Sequence, residues 1–180
     1  MGLLLTLASL YVPRPVRRRK LDELFAATAD AFQAPQPSTR GLTLDECLRL
    51  YAQFTRQQAD DAITRGREAE VQPRLYRNAR DIGRQLRTDL RADASQVMRV
   101  GALVYRMLGI EFRGEPDGDI VVRSCFFSDY YSSETCRLIS ALDEGLLVGL
   151  AGGGRLRFRQ RITEGYPRCL AHLDMDRRWR

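Results

Sequence analysis

The fold and the candidate chemistry depend on residues 124–169, which read SCFFSDYYSSETCRLISALDEGLLVGLAGGGRLRFRQRITEGYPRC. This stretch contains three of the four cysteines, Cys125, Cys136 and Cys169, and the one histidine, His172, follows three residues later. Its middle part predicts a helix from Ser133 to about Ala151, followed by a run of three glycines. Reactive side chains are scarce elsewhere, so we place the candidate site in this stretch.

The glycine run is followed by a strong alternation of residue types from Arg155 to Thr163. One face carries Leu156, Phe158, Gln160 and Ile162, and the other carries Arg155, Arg157, Arg159 and Arg161. A period of two predicts a half-buried antiparallel strand. Residues 168–173 are predicted to form its hairpin partner, and residues 110–112 and 119–124 two further strands.

The first half of the chain predicts helices only. Apolar residues recur at helical spacing over residues 16–32, 43–66, 73–91 and 94–108, and Thr43 and Glu46 form a capping box. The predicted fold class is therefore α+β, with an N-terminal helical layer followed by a small antiparallel sheet that one helix interrupts. We predict a single domain, 1–180, made of an arm and first helix (1–41), a helical part (42–109) and a sheet-containing part with the site (110–180).

Basic residues exceed acidic residues by 29 to 23, and Lys20 is the one lysine. Arginine makes bidentate contacts with carboxylates and phosphates, so the charge is compatible with acidic partners. The third predicted helix presents four of these arginines on one face: Arg77, Arg80, Arg84 and Arg87. That face is either solvated, a docking surface for an acidic protein, or a phosphate footprint. The lack of interleaved aromatic residues and of a recognition motif argues against nucleic acid as the partner.

The N-terminal residues 1–12 are apolar but lack the basic start of a secretory signal, and they are shorter than the ~20 residues that span a bilayer. We predict that they pack on the domain or on a second copy in a homodimer, with an interfacial anchor as the alternative. Four cysteines in 180 residues do not form a disulfide scaffold. The sequence therefore predicts a cytoplasmic protein with free thiols or thiol metal ligands, and no membrane partner.

The cysteines carry the candidate chemistry because common nucleotide-binding and hydrolase motifs are absent. Cys136 is predicted in the first turn of a helix, where backbone N–H groups and the helix dipole favour a thiolate. Cys125 and Cys169 are predicted on strands. Cys169 and His172 are three residues apart and would point to opposite faces of a regular strand. Three alternatives stay open: buried structural thiols, a catalytic thiol, and a zinc site formed by Cys125, Cys136 and Cys169 with one further ligand.

The catalytic alternative assigns a role to several side chains. Cys125 and Cys169 are the candidate active thiols, and His172 is the candidate proton carrier. Cys136 would support them and Tyr130 would line the pocket. Arg137 or Arg161 would hold a carboxylate of the ligand, which we expect to be a small anionic molecule.

Several short motifs carry a resemblance to a known family. They are Arg123-Ser-Cys125, Cys136-Arg137 with Asp143 seven residues after Cys136, Arg161-Ile-Thr-Glu-Gly165, and Cys169. Together they resemble the C-terminal half of the L-2-amino-thiazoline-4-carboxylic acid hydrolase family. The resemblance implies ring-opening hydrolysis of a carbon–nitrogen bond in a small cyclic amidine acid, or a relative that binds a similar ligand, and Asp143 joins the predicted ligand-binding residues. No cofactor is predicted for the hydrolase, with zinc as the alternative.

The layout is also similar to small-ligand sensor domains of the four-vinyl reductase type, which combine an α+β fold with a cysteine-lined metal site. The hydrolase is therefore the predicted function. The alternative is a non-enzymatic small-ligand or zinc-binding sensor that acts on a protein partner through the arginine-bearing helix.

Overall fold

The computed structural model describes residues 12–175 of the chain, so the prediction for the N-terminal apolar segment falls almost wholly outside the described residues. The described part contains five α-helices and four strands. In chain order they are α1 (Arg14–Phe32), α2 (Leu44–Thr64), α3 (Glu68–Leu90), α4 (Val97–Met107), β1 (Ile110–Gly114), β2 (Asp119–Cys125), α5 (Ser133–Ala151), β3 (Arg155–Gln160) and β4 (Cys169–Asp174). The α+β prediction is confirmed, with the helices first and the sheet after them.

The four strands form one antiparallel sheet in the order β1-β2-β4-β3. The helix α5 connects β2 to β3, so β4 lies between the two strands that this helix joins. Residues that alternate along β2 and β4, among them Ile120, Val122, Ala171 and Leu173, are buried and form the inner face. The opposite face carries the charged residues of β3.

The central element of the fold is α5. Its apolar residues are buried on nearly all sides, because one side packs on the sheet and α4 while another packs on α2 and α3. The capping side chain of Ser132 accepts a hydrogen bond from the backbone N of Thr135 at 3.1 Å and fixes where α5 begins. A helix buried in this way can enclose a site between itself and the sheet.

The helices α3 and α5 cross with their backbones in contact. A Cβ atom added to Gly145 or Gly149 would lie 2.2 Å from the carbonyl oxygen of Tyr76 or 2.3 Å from that of Arg80. A Cβ on Gly83 of α3 would meet the carbonyl oxygen of Leu146 at 2.3 Å. Only glycine fits at these three positions, and the crossing therefore fixes the position of α5 relative to the helical layer.

Two predicted element bounds are wrong. The third helix begins at Glu68 and not at Pro73, because Glu68 and Glu70 favour a helix N-terminus and the helix continues through the proline. The strand predicted to reach Thr163 ends at Gln160, since its pairing with β4 shifts register between Phe158 and Gln160. Residues 162–164 then form a 3₁₀ turn. This change turns Arg161 inward, whereas the alternation predicts it on the solvent face.

The arginine face of α3 is not uniformly exposed. Arg77 and Arg84 face solvent, and Arg84 lies 3.6 Å from Asp81. Arg80 and Arg87 are half-buried, and the guanidinium of Arg87 lies beside Gly152 at the C-terminus of α5. An acidic partner of this face stays a prediction. Within residues 12–175, no helix is long and apolar enough to cross a membrane.

Candidate functional site

A cavity lies beside α5: its larger chamber is lined mainly by residues of the helices, and its smaller chamber lies between α5 and the inner face of the sheet. It has two adjoining chambers of about 100 Å³ and about 70 Å³. Six residues line both chambers: Tyr105, Ile110, Cys125, Cys136, Ser140 and Asp143. Cys169 lines the smaller chamber. We call these two chambers the thiol cavity, because all three cysteines of the predicted site line it.

The strand order explains how distant cysteines reach one cavity. β2 and β4 are neighbours, and Val122 pairs with Cys169. Cys125 is the last residue of β2, three positions beyond that pair, and Cys136 follows in the first turn of α5. The sequence could not show that these strands are adjacent, and their adjacency is what assembles the site.

The three thiols are protonated at neutral pH. Burial raises the pKa of Cys125 to about 12, and burial likewise raises the pKa of Cys136 and of Cys169. The Sγ of Cys169 also accepts a hydrogen bond from the backbone N of Ile162 at 3.4 Å. The predicted thiolate at Cys136 is therefore wrong for the resting protein, because desolvation outweighs the helix N-terminus.

The acidic group of the cavity is Asp143. The hydroxyl of Tyr105 donates a hydrogen bond to its Oδ1 at 2.9 Å. Burial raises the pKa of Asp143 to about 6, and the Tyr105 hydrogen bond and the charge of Arg161 oppose this only in part. A carboxyl group with this pKa can both accept and return a proton near neutral pH. Such a group suits acid–base chemistry on a bound molecule.

Sequence reasoning missed Tyr105 as a site residue. Its ring stacks on Phe112 of β1 with centroids 4.7 Å apart, and this contact directs its hydroxyl toward α5. The available signal was its helical spacing with the other apolar residues of 94–108, which places Tyr105 on the inward face of that helix. A tyrosine on a helical face is usually part of the core, and its partner 38 positions away is visible only in the folded chain.

Arg161 lies beside the cavity, with 16% of its side chain exposed. Its guanidinium carbon is 4.3 Å from the centroid of the Phe158 ring, and its Nε is 3.4 Å from Oγ of Ser140. Both of these neighbours line the thiol cavity. An ion pair of 3.6 Å joins Arg161 to Glu164. Of the two predicted carboxylate clamps, this one is adjacent to the cavity.

The other predicted clamp, Arg137, is at the surface, and its Nε lies 2.9 Å from Glu164. Glu164 thus contacts both arginines and ties the 3₁₀ turn at 162–164 to α5. The hydroxyl of Ser133 adds a hydrogen bond to the carbonyl oxygen of Thr163. This turn lies beside the cavity, since the backbone N of Ile162 donates a hydrogen bond to Sγ of Cys169, which lines the smaller chamber.

Two predicted site residues lie elsewhere. Nδ1 of His172 is 2.8 Å from Oδ1 of Asp119, and His172 pairs across the sheet with Arg157. Cys169 and Ala171 line the cavity, so His172, on the alternate position of β4, faces the opposite side of the sheet. Tyr130 packs on Phe126 with ring centroids 5.3 Å apart. Neither His172 nor Tyr130 is among the described residues that line the thiol cavity.

A metal site finds no direct support. Across residues 12–175, no group of three or more His, Cys, Asp or Glu side chains is arranged to hold a metal ion. Cys125, Cys136 and Cys169 line the cavity without forming such a group. Zinc binding therefore stays a prediction.

Comparison with known proteins identifies no relative: no family model, no curated protein and no solved structure matches the chain. The resemblance to the thiazoline-acid hydrolases therefore rests on short motifs alone and stays a prediction. Function has to be argued from the chemistry of the thiol cavity, because a fold class by itself does not specify an activity.

Proposed function

We propose that the protein binds a small ring compound in the thiol cavity. One observation carries the proposal: Cys125, Cys136, Asp143 and Cys169, from three separate elements, line the same internal space. Ligand sites are typically apolar cavities with a few convergent polar groups. A cavity of about 150 Å³ can hold a molecule the size of benzene. Neither chamber reaches this volume alone, at about 100 Å³ and 70 Å³, so the space matches a small ring that occupies both.

The enzymatic form of this proposal is hydrolysis of a carbon–nitrogen bond in a cyclic amidine carboxylic acid. The thiol of Cys125 adds to the amidine carbon, and Asp143 accepts the thiol proton. Asp143 gives that proton to the ring nitrogen, which completes addition of the thiol across the C=N bond. The exocyclic amino group then forms a C=N double bond and its proton passes to the ring nitrogen, so that the ring carbon–nitrogen bond breaks and releases a primary amine within the opened chain. Water adds to the carbon, the bond from carbon to the Cys125 sulfur breaks, and a proton from the water restores the thiol. This sequence needs no resting thiolate, and it is supported by a carboxyl group that titrates near neutrality.

The carboxylate of such a substrate would be held by Arg161. This arginine already contacts two side chains of the cavity, Phe158 and Ser140, and its present anionic partner is Glu164. A substrate carboxylate would replace Glu164 on the guanidinium group. Arg161→Gln should therefore weaken the binding of a substrate that carries a carboxylate. Binding of the same ring without a carboxylate should be unaffected.

The test is turnover of 2-amino-thiazoline-4-carboxylic acid by purified protein. We expect turnover by the wild type and loss of at least about 100-fold in Cys125→Ala and in Asp143→Asn. Cys47→Ala is the matched control, since Cys47 is a buried cysteine of α2 outside the cavity lining. Unchanged turnover in a Cys125→Ala, Cys169→Ala double variant would rule out the thiol mechanism. Absence of wild-type turnover would rule out the hydrolase for this substrate.

A second candidate is a non-enzymatic small-ligand sensor. The observation that favours it is the direct contact between α5, which lines the cavity, and the backbone of α3 at Gly145 and Gly149. A ligand that shifts α5 would shift α3 and the surface around Arg77 and Arg84. The test is amide hydrogen exchange of α3 with and without ligand. A change in α3 without turnover supports the sensor, whereas exchange that changes only at the cavity contradicts it.

A further inference from the structure

The polar groups of the thiol cavity differ in how far their hydrogen-bonding capacity is used. The hydroxyl of Ser140 donates to the carbonyl oxygen of Cys136 at 2.6 Å, within α5. The hydroxyl of Tyr51 is 3.0 Å from that of Thr28, and the hydroxyl of Tyr131 bonds to Thr55. These hydroxyl groups form hydrogen bonds within the protein, which leaves little of their hydrogen-bonding capacity for a ligand.

Asp143 is the exception. A carboxylate offers about four acceptor positions. The one described donor to it is the hydroxyl of Tyr105, which bonds to Oδ1. The guanidinium group of Arg161 is engaged by Phe158, Ser140 and Glu164. Asp143 is half-buried and lines both chambers, so the acceptor capacity that Tyr105 leaves unused is available to a donor group of a ligand in the cavity.

The other groups that line the cavity do not offer a strong hydrogen-bond acceptor to a ligand. Its remaining lining is apolar or thiol, and a neutral thiol is a weak donor and a weak acceptor. Asp143 is the one acidic side chain among the described lining residues of either chamber. An acceptor of this kind favours a ligand with N–H groups and disfavours one that presents only acceptors.

From this arrangement we infer that Asp143 is the specificity-determining residue of the cavity, and that the ligand is a small ring bearing an N–H donor, such as an amidine or an amino-azoline. The inference rests on the proposed function, because it assumes that the thiol cavity is the ligand site. It goes beyond the proposed function by assigning recognition of the ligand's N–H group to Asp143. It does not depend on catalysis, and it applies equally to an enzyme and to a sensor.

The experiment compares two probes of similar size, of which the amino probe is an N–H-bearing cation at neutral pH and the methyl probe is neutral, so that it tests recognition of the N–H groups together with their charge. 2-Amino-2-thiazoline carries an exocyclic NH₂ group, and 2-methyl-2-thiazoline carries a methyl group of similar size at the same position. Neither probe has a carboxylate, so Arg161 does not enter the comparison. Binding is measured by calorimetry with the full chain, and the site is located by NMR shifts of the cavity residues.

We expect the wild type to bind the amino probe about 10- to 100-fold more tightly than the methyl probe, as for a hydrogen bond to a charged group. Asp143→Asn should reduce this preference to within about 3-fold, while Glu144→Gln, one residue further along α5, should preserve it. Equal binding of both probes in the cavity would overturn the inference and leave the proposed ligand site standing. Shifts confined to residues outside the cavity, or no binding by either probe, would overturn both.

Discussion

The hydroxyl of Tyr105 donates a hydrogen bond to Oδ1 of Asp143 at 2.9 Å, and this bond joins α4 to α5 at the wall of the thiol cavity. Tyr105 is stacked on β1 through Phe112, so the bond also links the sheet to the central helix. It holds the carboxyl group at a defined place in an otherwise apolar space. The ligand preference, the acid–base role and the pH dependence proposed for this protein all depend on that position.

Stability should fall as the pH rises through the titration of Asp143. Burial raises its pKa from the usual 3.8 to about 6 in the folded protein. Below about pH 4 Asp143 is protonated in both the folded and the unfolded protein, so its burial does not reduce the free energy of unfolding. Between about pH 4 and pH 6 the unfolded chain loses its proton first. The folded protein should therefore lose about 3 kcal/mol relative to Asp143→Asn over this range, at about 1.4 kcal/mol for each pKa unit.

The measurement is urea denaturation of the wild type and the variant at several pH values between 4 and 7. Besides the guanidinium group of Arg161, the ionisable groups that face Asp143 have pKa values raised by burial and stay uncharged over this range: Tyr51, Tyr105, Cys125, Cys136 and Cys169. Glu144→Gln is the control and should follow the wild type. If the free energy of unfolding changed with pH in the same way for the wild type and Asp143→Asn, the raised pKa of Asp143 would be contradicted.

Alkylation of the cysteines should be slow in the native protein. The thiol of Cys125 has a pKa raised by burial to about 12, and only the thiolate reacts at a useful rate. At pH 7 we expect iodoacetamide to modify all three cavity cysteines at least about 100-fold more slowly than in urea, as followed by mass spectrometry. A bound ring compound should slow the alkylation of Cys125, Cys136 and Cys169 further. Cys47 should show no such effect of ligand, and rapid native modification of Cys125 would show that its thiol is activated.

Gly149→Ala should destabilise the fold strongly. Its Cβ would lie 2.3 Å from the carbonyl oxygen of Arg80, and a backbone atom cannot move aside as a side chain can. We expect a loss of about 2–3 kcal/mol or more in the free energy of unfolding. Gly101→Ala in α4 is the matched control, because its nearest neighbour is the side chain of Leu147 at 3.3 Å. The control should be close to neutral, since alanine also favours the helix by up to about 1 kcal/mol. Similar effects of both substitutions would contradict the close crossing of α3 and α5.

Glu164→Gln should loosen the 3₁₀ turn at residues 162–164, which lies beside the cavity. Glu164 contacts Arg137 at 2.9 Å and Arg161 at 3.6 Å, and its side chain is 18% exposed. We expect a loss of about 0.5–1 kcal/mol in stability and faster hydrogen exchange at the amide of Ile162, which bonds to Cys169. Glu115→Gln removes a more exposed ion pair with Arg113 and serves as the control. Unchanged exchange at Ile162 would show that the ion pairs do not hold the turn.

The sequence predicted most of the secondary structure because each element carries its own local signal. The span of α5, Ser133–Ala151, matches the prediction, and the capping box of Thr43 and Glu46 is present at the start of α2. The predicted ends of the elements were wrong where tertiary contacts determined them. The register shift after Phe158 ended β3 early and brought Arg161 from the predicted solvent face to the edge of the cavity.

For the candidate site, the sequence identified the chemically relevant residue types, and the tertiary structure decided which of them meet. Cys125, Cys136, Asp143 and Cys169 were all predicted from the sequence, whereas the placement of His172 on the outer face follows from the alternation along β4. The strand order β1-β2-β4-β3 brings the cysteines of β2 and β4 together, and no local pattern encodes that order. The raised pKa values and the bond from Tyr105 to Asp143 likewise depend on burial by residues distant in the chain. Local periodicity therefore determined the elements, and long-range packing determined the cavity and its electrostatics.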